Sequence, residues 1–425
     1  MARPKKEDLA PRSAIAQDLI GRLNALGAGS KAYAQGDHEK VTCGIKIPTI
    51  AFQWMIGGST ILPTQRMFGF SGLPKSFKST LTVEVGNWFI KQGGMHILID
   101  NESKTSPDML SAMTWRDSQL SSAENRLFKE TSSIDQWQIL LTSLTKYAKE
   151  TADRPKGQRV PLWVSVDSLT GRSTQDSQDK IQEEGAAATR DFPAEALKIS
   201  RYFDSFSMLG TCLNFGYVQQ MKQDIGAQPG YGGPKYREKG AMSAAFSTSG
   251  HVRVAKCAAV SLAGHDHAPQ QPVDGQLSPP VEGYTLRLTA HRSCVGPDGR
   301  DLEVDLLWQY VEQDGGTTKQ AMWLDWPGAL GRLLFKMKYD DKMKLFAYEK
   351  QKLKEALDFT GKATLKVSSI NCEELKLVDA SFAVFGKAIE DSPEVSRRIR
   401  NYLHIKEYTD LQDADLELGD LNKNE

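Results

Sequence analysis

Nine residues, Gly72-Leu73-Pro74-Lys75-Ser76-Phe77-Lys78-Ser79-Thr80, constrain this chain more than any other stretch. A mostly apolar run, Arg66 to Phe70, leads into them and a helix-like segment, Ser79 to Gln92, leads out, so the setting is strand, loop, helix. In that setting successive backbone N–H groups and the helix N-terminus converge on anionic oxygens. Lys78 would then reach terminal phosphates and the Ser79 hydroxyl would ligate magnesium. The usual pattern is G-x-x-x-x-G-K-[ST], and Phe77 replaces its second glycine. A side chain there disfavours positive φ. Taken by itself, the stretch is either a nucleotide site or a Lys-Ser pair that happens to open a helix.

The chain has 425 residues, enough for a large core with smaller satellites. Its 53 basic and 53 acidic residues cancel, so a nucleic-acid partner would have to be met by local basic loops. The five cysteines are scattered and form no C-x-x-C pair, which suits a reduced, intracellular protein without a cysteine zinc site. The N-terminus lacks the apolar run of a signal peptide, and no long apolar span follows, so a soluble protein without membrane contact is expected.

Residues 1 to about 11 are polar; then Ile15, Leu19, Leu23 and Leu26 give one apolar helical face from Ser13 to Leu26, packing either on its own domain or on a neighbouring subunit. Ile47 to Ile61 has a short helical pattern ending in Gly57-Gly58. Met95 to Ile99 and Leu162 to Val166 read as buried parallel strands, closed by Asp100-Asn101-Glu102 and Asp167-Ser168. Helices are expected at Pro107 to Met113, Ser133 to Lys149 and about Phe192 to Met208. Arg172 to Ala188, polar and of mixed charge, reads as a loop.

The strand Thr211 to Val218 ends in Gln219-Gln220 and is followed by a Gly-rich stretch, Gln223 to Gly250, in which Lys235, Arg237 and Lys239 alternate with Tyr231, Tyr236 and Phe246. This is either a solvated loop or one that holds single-stranded nucleic acid by phosphate contacts and stacking. Strands are expected at His251 to Ala259, Tyr284 to His291 and Glu303 to Tyr310. His265-Asp266-His267 sits in a polar loop, where histidines are more often solvated than ligating. Beyond Trp326-Pro327 come Lys-rich helical segments, Leu330 to Met337, Leu345 to Leu357 and Val378 to Gly386; Asp410 to Glu425 is an acidic tail.

This order of strands and loops, from Ile47 to Trp308, resembles the RecA recombinase core, and Lys75-Ser76-Phe77-Lys78-Ser79 looks like the phosphate loop of the UvsX-type recombinases of tailed phages. The resemblance implies an α/β fold with a RecA-like P-loop ATPase core, a mostly parallel central sheet with helices on both faces. It divides the chain into an N-terminal segment 1–46 with a protomer-docking helix, a core 47–326, a small C-terminal domain 327–407 and a tail 408–425. It implies ATP and Mg2+ bound by Gly72 to Thr80 and Asp167, with Ser79 and Asp167 at the metal, Glu102 as general base beside Lys78, and Gln220 sensing the γ-phosphate. His291 and Arg292 match, without reproducing, a basic pair that acts on a neighbour's ATP. Arg172, Arg190, Lys222, Lys235, Arg237, Lys239 and Arg253 fall in the DNA-binding loops or beside them.

The implied activity is DNA-dependent ATP hydrolysis with pairing and strand exchange between single-stranded and homologous duplex DNA. The protein would self-associate into a helical filament in the cytoplasm of a bacterial host, with a recombination mediator and a single-strand-binding protein as further partners. A hexameric RecA-fold helicase shares the nucleotide site and is the alternative. A filament protein without turnover is the third reading.

Overall fold

The computed structural model describes residues 44–407 apart from 103–104, 106, 116, 123, 151–159, 170–172, 185–191, 207–210, 224–235, 239–247, 262–281, 294–297, 314–316, 340–346 and 364–367. The helix expected at Ser13 to Leu26, the His265-Asp266-His267 triplet and the acidic tail lie outside the described residues, as do Arg172, Arg190, Lys235 and Lys239.

The chain enters through β1 (Gly44–Lys46), which pairs with β2 (Ile61–Pro63) around a short helix, α1 (Ile50–Met55). Thr49 caps that helix, its side chain accepting from the Phe52 N–H, so the helical pattern expected over Ile47 to Ile61 contracts to its middle. Next come β3 (Met67–Gly72), α2 (Lys78–Lys91), β4 (Met95–Asp100), α3 (Pro107–Met113), β5 (Arg126–Glu130), α4 (Ile134–Glu150) and β6 (Leu162–Asp167). Then follow α5 (Gln175–Glu184), α6 (Phe192–Ser205), β7 (Leu213–Gln223), β8 (Tyr236–Glu238), β9 (Gly250–Ser261), β10 (Glu282–Arg292), β11 (Asp301–Gln313) and β12 (Thr317–Asp325).

One large sheet runs in the order β12-β11-β10-β9-β3-β7-β6-β4-β5, with β8 paired to the end of β7. From β9 through β5 every neighbouring pair is parallel, and β9, β10, β11 and β12 pair antiparallel. The molecule is therefore α/β with a mostly parallel sheet. The central strands are buried along their length, as their continuous apolar runs require. Trp137 of α4 and Phe203 of α6 pack on Phe215 of β7, while Phe89 of α2 packs on Trp163 of β6.

Two edge strands lie outside the strands expected from the sequence, although β12 carries the short apolar run Ala321 to Leu324. In β5 residues Leu127 to Glu130 are all exposed, and β12 closes the other edge. The loop expected over Arg172 to Ala188 contains α5 instead. Its periodicity is hidden because every residue but Ile181 is polar, and its start is fixed by Thr174, which accepts from the Ser177 N–H, and by Asp135, which accepts from the Gln175 N–H. The stretch after Gln223 likewise holds a strand: β8 pairs Glu238, Arg237 and Tyr236 with Met221, Lys222 and Gln223.

The C-terminal part comprises α7 (Trp326–Tyr339), α8 (Ala347–Ala356), a small sheet of β13 (Thr360–Ala363), β14 (Ser368–Cys372) and β15 (Leu377–Ala380), then α9 (Phe382–Asp391) and α10 (Pro393–Tyr402). The helix expected from Val378 begins only after Ser381, whose hydroxyl accepts from the Val384 N–H and ends the strand before it. Ile45–Tyr408 forms one compact unit. Arg400 donates to Gln53 (3.1 Å), the Ile50 N–H donates to Glu390 (3.1 Å), and Lys406 bridges to Ser59.

Burial pushes the Glu390 carboxyl up to about 7, against the opposing pull of the Ile50 N–H, Lys387 and Arg400. A carboxyl whose folded value lies above its unfolded one contributes stability at low pH that is lost as pH rises through the folded value. Between pH 5 and 8 the wild type is therefore expected to lose melting temperature relative to Glu390→Gln, whose amide still accepts from Ile50 but has no proton to lose. Parallel pH profiles of the two proteins in thermal denaturation would refute this.

Candidate nucleotide site

The site forms where the parallel strands end. Gly72 of β3 is in register with Gln220 of β7, Val218 of β7 with Asp167 of β6, and Asp167 with Asp100 of β4. The carboxyl edge of such a sheet is where α/β proteins build their sites. At Gly72 a Cβ would stand 2.3 Å from the Val254 carbonyl oxygen, so the chain can turn there only as glycine.

The loop then passes through two left-handed residues, Lys75 (φ 62°) and Phe77 (φ 63°). Phe77 thus adopts the conformation that glycine would give, which costs a side-chain-bearing residue ~1–2 kcal/mol. Its ring packs 5.7 Å from Tyr284 and 6.1 Å from Trp308, which are themselves 5.3 Å apart. The Lys256 Nζ lies 3.2 Å from the centre of the Tyr284 ring. As N-cap of α2, Phe77 makes no side-chain cap, so no capping oxygen competes for the N–H groups of the first turn.

Lys78 is buried and curls back over the loop, its Nζ donating to the Leu73 carbonyl (2.7 Å) and the Ser76 hydroxyl (3.3 Å). The Ser79 hydroxyl donates to the Asp167 carboxylate. Burial, and then Glu102 and Asp100, push Asp167 up to about 6 despite the Ser79 hydroxyl and Lys78. A carboxylate so placed gains by meeting a cation. Among the described residues no three His, Cys, Asp or Glu side chains gather to hold a metal by themselves. A hydroxyl and one carboxylate are the small hard-oxygen set that magnesium takes when phosphates and water supply its other ligands. Ser79 and Asp167 thus fit the ion.

Glu102 is presented by the loop after β4. Asp100 shapes that loop, its two carboxylate oxygens accepting from the Glu102 N–H (2.8 Å) and the Thr105 N–H (2.8 Å). Asn101 fastens it to the next strand end, donating to the Ser168 carbonyl (2.9 Å). The Glu102 carboxylate accepts from the Ser168 hydroxyl and from Gln220 Nε2 (2.5 Å). Lys78, Ser79, Glu102, Asp167 and Gln220, chosen from sequence, are thus gathered at one sheet edge.

Other candidates stand apart. Lys222 is exposed at the β7–β8 hairpin, with Arg237 opposite it in register. Arg253 is a sheet residue, between Ser71 and Thr289 in register. Arg292 pairs with His251, which is level with Gly69, so His291 and Arg292 occupy the sheet edge opposite the phosphate loop and do not join it within one chain. Burial, followed by His291 and two arginines, lowers His251 to about 4 and keeps it neutral at pH 7. Sequence reasoning missed Tyr284, Trp308 and Lys256 as neighbours of Phe77, since only the register of β9, β10 and β11 brings them there. Ser168 and Asp100 were visible as polar strand ends, but their partners were not.

No protein-family model matches the chain, and no curated protein is similar to it in sequence at a significant level.

Proposed function

We propose that this chain is an ATP-driven DNA strand-exchange recombinase with a RecA-type core. The observation that carries the reading is the contact of Gln220 with Glu102, which ties the strand leading into the β7–β8 hairpin to the residue best placed to activate water. ATP phosphates would lie on the N–H groups of the loop and of the first turn of α2, with Lys78 turning from Leu73 toward them. Magnesium, held by Ser79 and Asp167, would neutralise charge on the phosphates. Glu102, oriented by Gln220 and Ser168, would accept the proton of the attacking water. Gln220 is two residues from Lys222, so a change in its partner is passed directly to the hairpin proposed to meet DNA.

Self-association is supported by the edge of the sheet: β5 is the last strand on its side among the described residues, Leu127 and Phe128 on it are 44% and 41% exposed, and such an edge can pair with another chain. Among the described residues no helix is long and apolar enough to cross a membrane.

ATP hydrolysis measured with and without single-stranded DNA across a salt series, with negative-stain images of the same samples, tests the reading. Turnover stimulated by DNA is expected, with stimulation lost as salt rises because phosphate contacts release counterions, and with helical filaments on the strand. Closed rings would favour the helicase, and filaments without turnover would leave an assembly protein.

A further inference from the structure

We propose that Phe77, Tyr284 and Trp308 form an aromatic latch that holds the phosphate loop in its binding-ready shape, with Lys256 closing over Tyr284. The inference rests on the nucleotide reading of the site. The loop needs a left-handed residue before Lys78, and Phe77 supplies it at φ 63° without glycine's freedom. A bare side chain would relax toward negative φ and turn the N–H groups on either side of it away from a common centre. What opposes this is the ring: it is held against Tyr284 at 5.7 Å and Trp308 at 6.1 Å, and the Lys256 ammonium lies 5.8 Å from it while covering Tyr284.

These partners come from β9, β10 and β11, the antiparallel half of the sheet, whereas the other residues of the site come from the parallel half. Tyr284 and Trp308 are half-buried, so their rings are free to pack on the loop instead of being consumed by the core. They are positioning residues, acting on phosphate through the backbone of Phe77. A loop with glycine in that place has more conformations to give up when phosphate arrives; this loop would have fewer, which raises affinity by lowering the ordering cost.

The latch predicts that the rings matter only while Phe77 is present. Binding of Mg-ATP and of magnesium tripolyphosphate is measured by calorimetry for the wild type, Tyr284→Leu, Trp308→Leu, Phe77→Gly, Phe77→Ala and the double variants. Tyr284→Leu is expected to weaken both ligands about tenfold, roughly 1.4 kcal/mol, and to have no effect when combined with Phe77→Gly. Phe77→Ala, with neither ring nor glycine's freedom, is expected to bind more weakly than Phe77→Gly. Phe77→Tyr keeps the ring and should keep the affinity.

Equal losses from Tyr284→Leu with and without Phe77→Gly would overturn the latch, as would Phe77→Ala binding as well as Phe77→Gly. A loss confined to ATP, with tripolyphosphate unchanged, would also overturn it and make the rings a surface for the base. If Tyr284→Leu does not fold, the comparison of Phe77→Ala with Phe77→Gly decides alone. A wild type that binds neither ligand would instead refute the nucleotide reading beneath it.

Discussion

Lys78→Ala is expected to lower ATP turnover on the order of 10³-fold while leaving the fold in place. Lys78 is 6% exposed, and its ammonium is already aimed along the loop by Leu73 and Ser76. A charged phosphate oxygen would be a stronger partner for the ammonium than a neutral carbonyl or hydroxyl. Removing the ammonium removes a charge that acts most strongly where negative charge spreads over the transferred phosphoryl group. Stability should change little, because the same change removes the cost of burying a charge along with the hydrogen bonds that charge makes. Steady-state hydrolysis and a melting curve on the same preparation check both halves. Wild-type turnover in this variant would remove the loop from the chemistry altogether.

The second large effect is expected at Glu102. Glu102→Gln keeps an oxygen to accept from Gln220 and Ser168 but can no longer take a proton from water. A positioned general base contributes about 10²–10⁴-fold, so kcat should fall by that order while ATP affinity stays within a few-fold of the wild type. Lys78→Ala, by contrast, should damage affinity and turnover together. Nucleotide binding by calorimetry and turnover by phosphate release separate the two. If Glu102→Gln hydrolysed ATP normally, Glu102 would not be the general base.

Much of this arrangement could be read in the chain. Buried parallel strands announce themselves as unbroken apolar runs, which is why β4, β6 and the polar residues at their ends were legible, and why Glu102 and Asp167 fell where they were expected. Helices with one apolar face, such as α4, were legible for the same reason: a periodic pattern reports a surface that must be covered. Elements stabilised by few apolar contacts left no such record. α5 is held by polar contacts to Ser132 and Asp135 of another segment, and β5 by backbone pairing to β4 and the hydrogen bond of buried Arg126 to Asn87. Backbone hydrogen bonds do not depend on which side chains carry them, so sequence cannot report them.

The sequence by itself determined which groups are available: a lysine and a hydroxyl opening a helix after a strand, carboxylates at two other strand ends, a glutamine at a third. Those assignments rest on periodicity and on the chemistry of single residues, both of which are local. Only the tertiary structure decided that Gln220 meets Glu102, that Ser79 meets Asp167, and that Phe77 leans on Tyr284 and Trp308, more than 200 residues away in the chain. Such contacts are set by strand order and register, and one strand slipped by a single residue would send each of these side chains to the other face. The missing glycine shows the difference most plainly. By local rules Phe77 weakens the phosphate loop, and it is the packing of three distant strands that lets a phenylalanine hold a glycine's conformation.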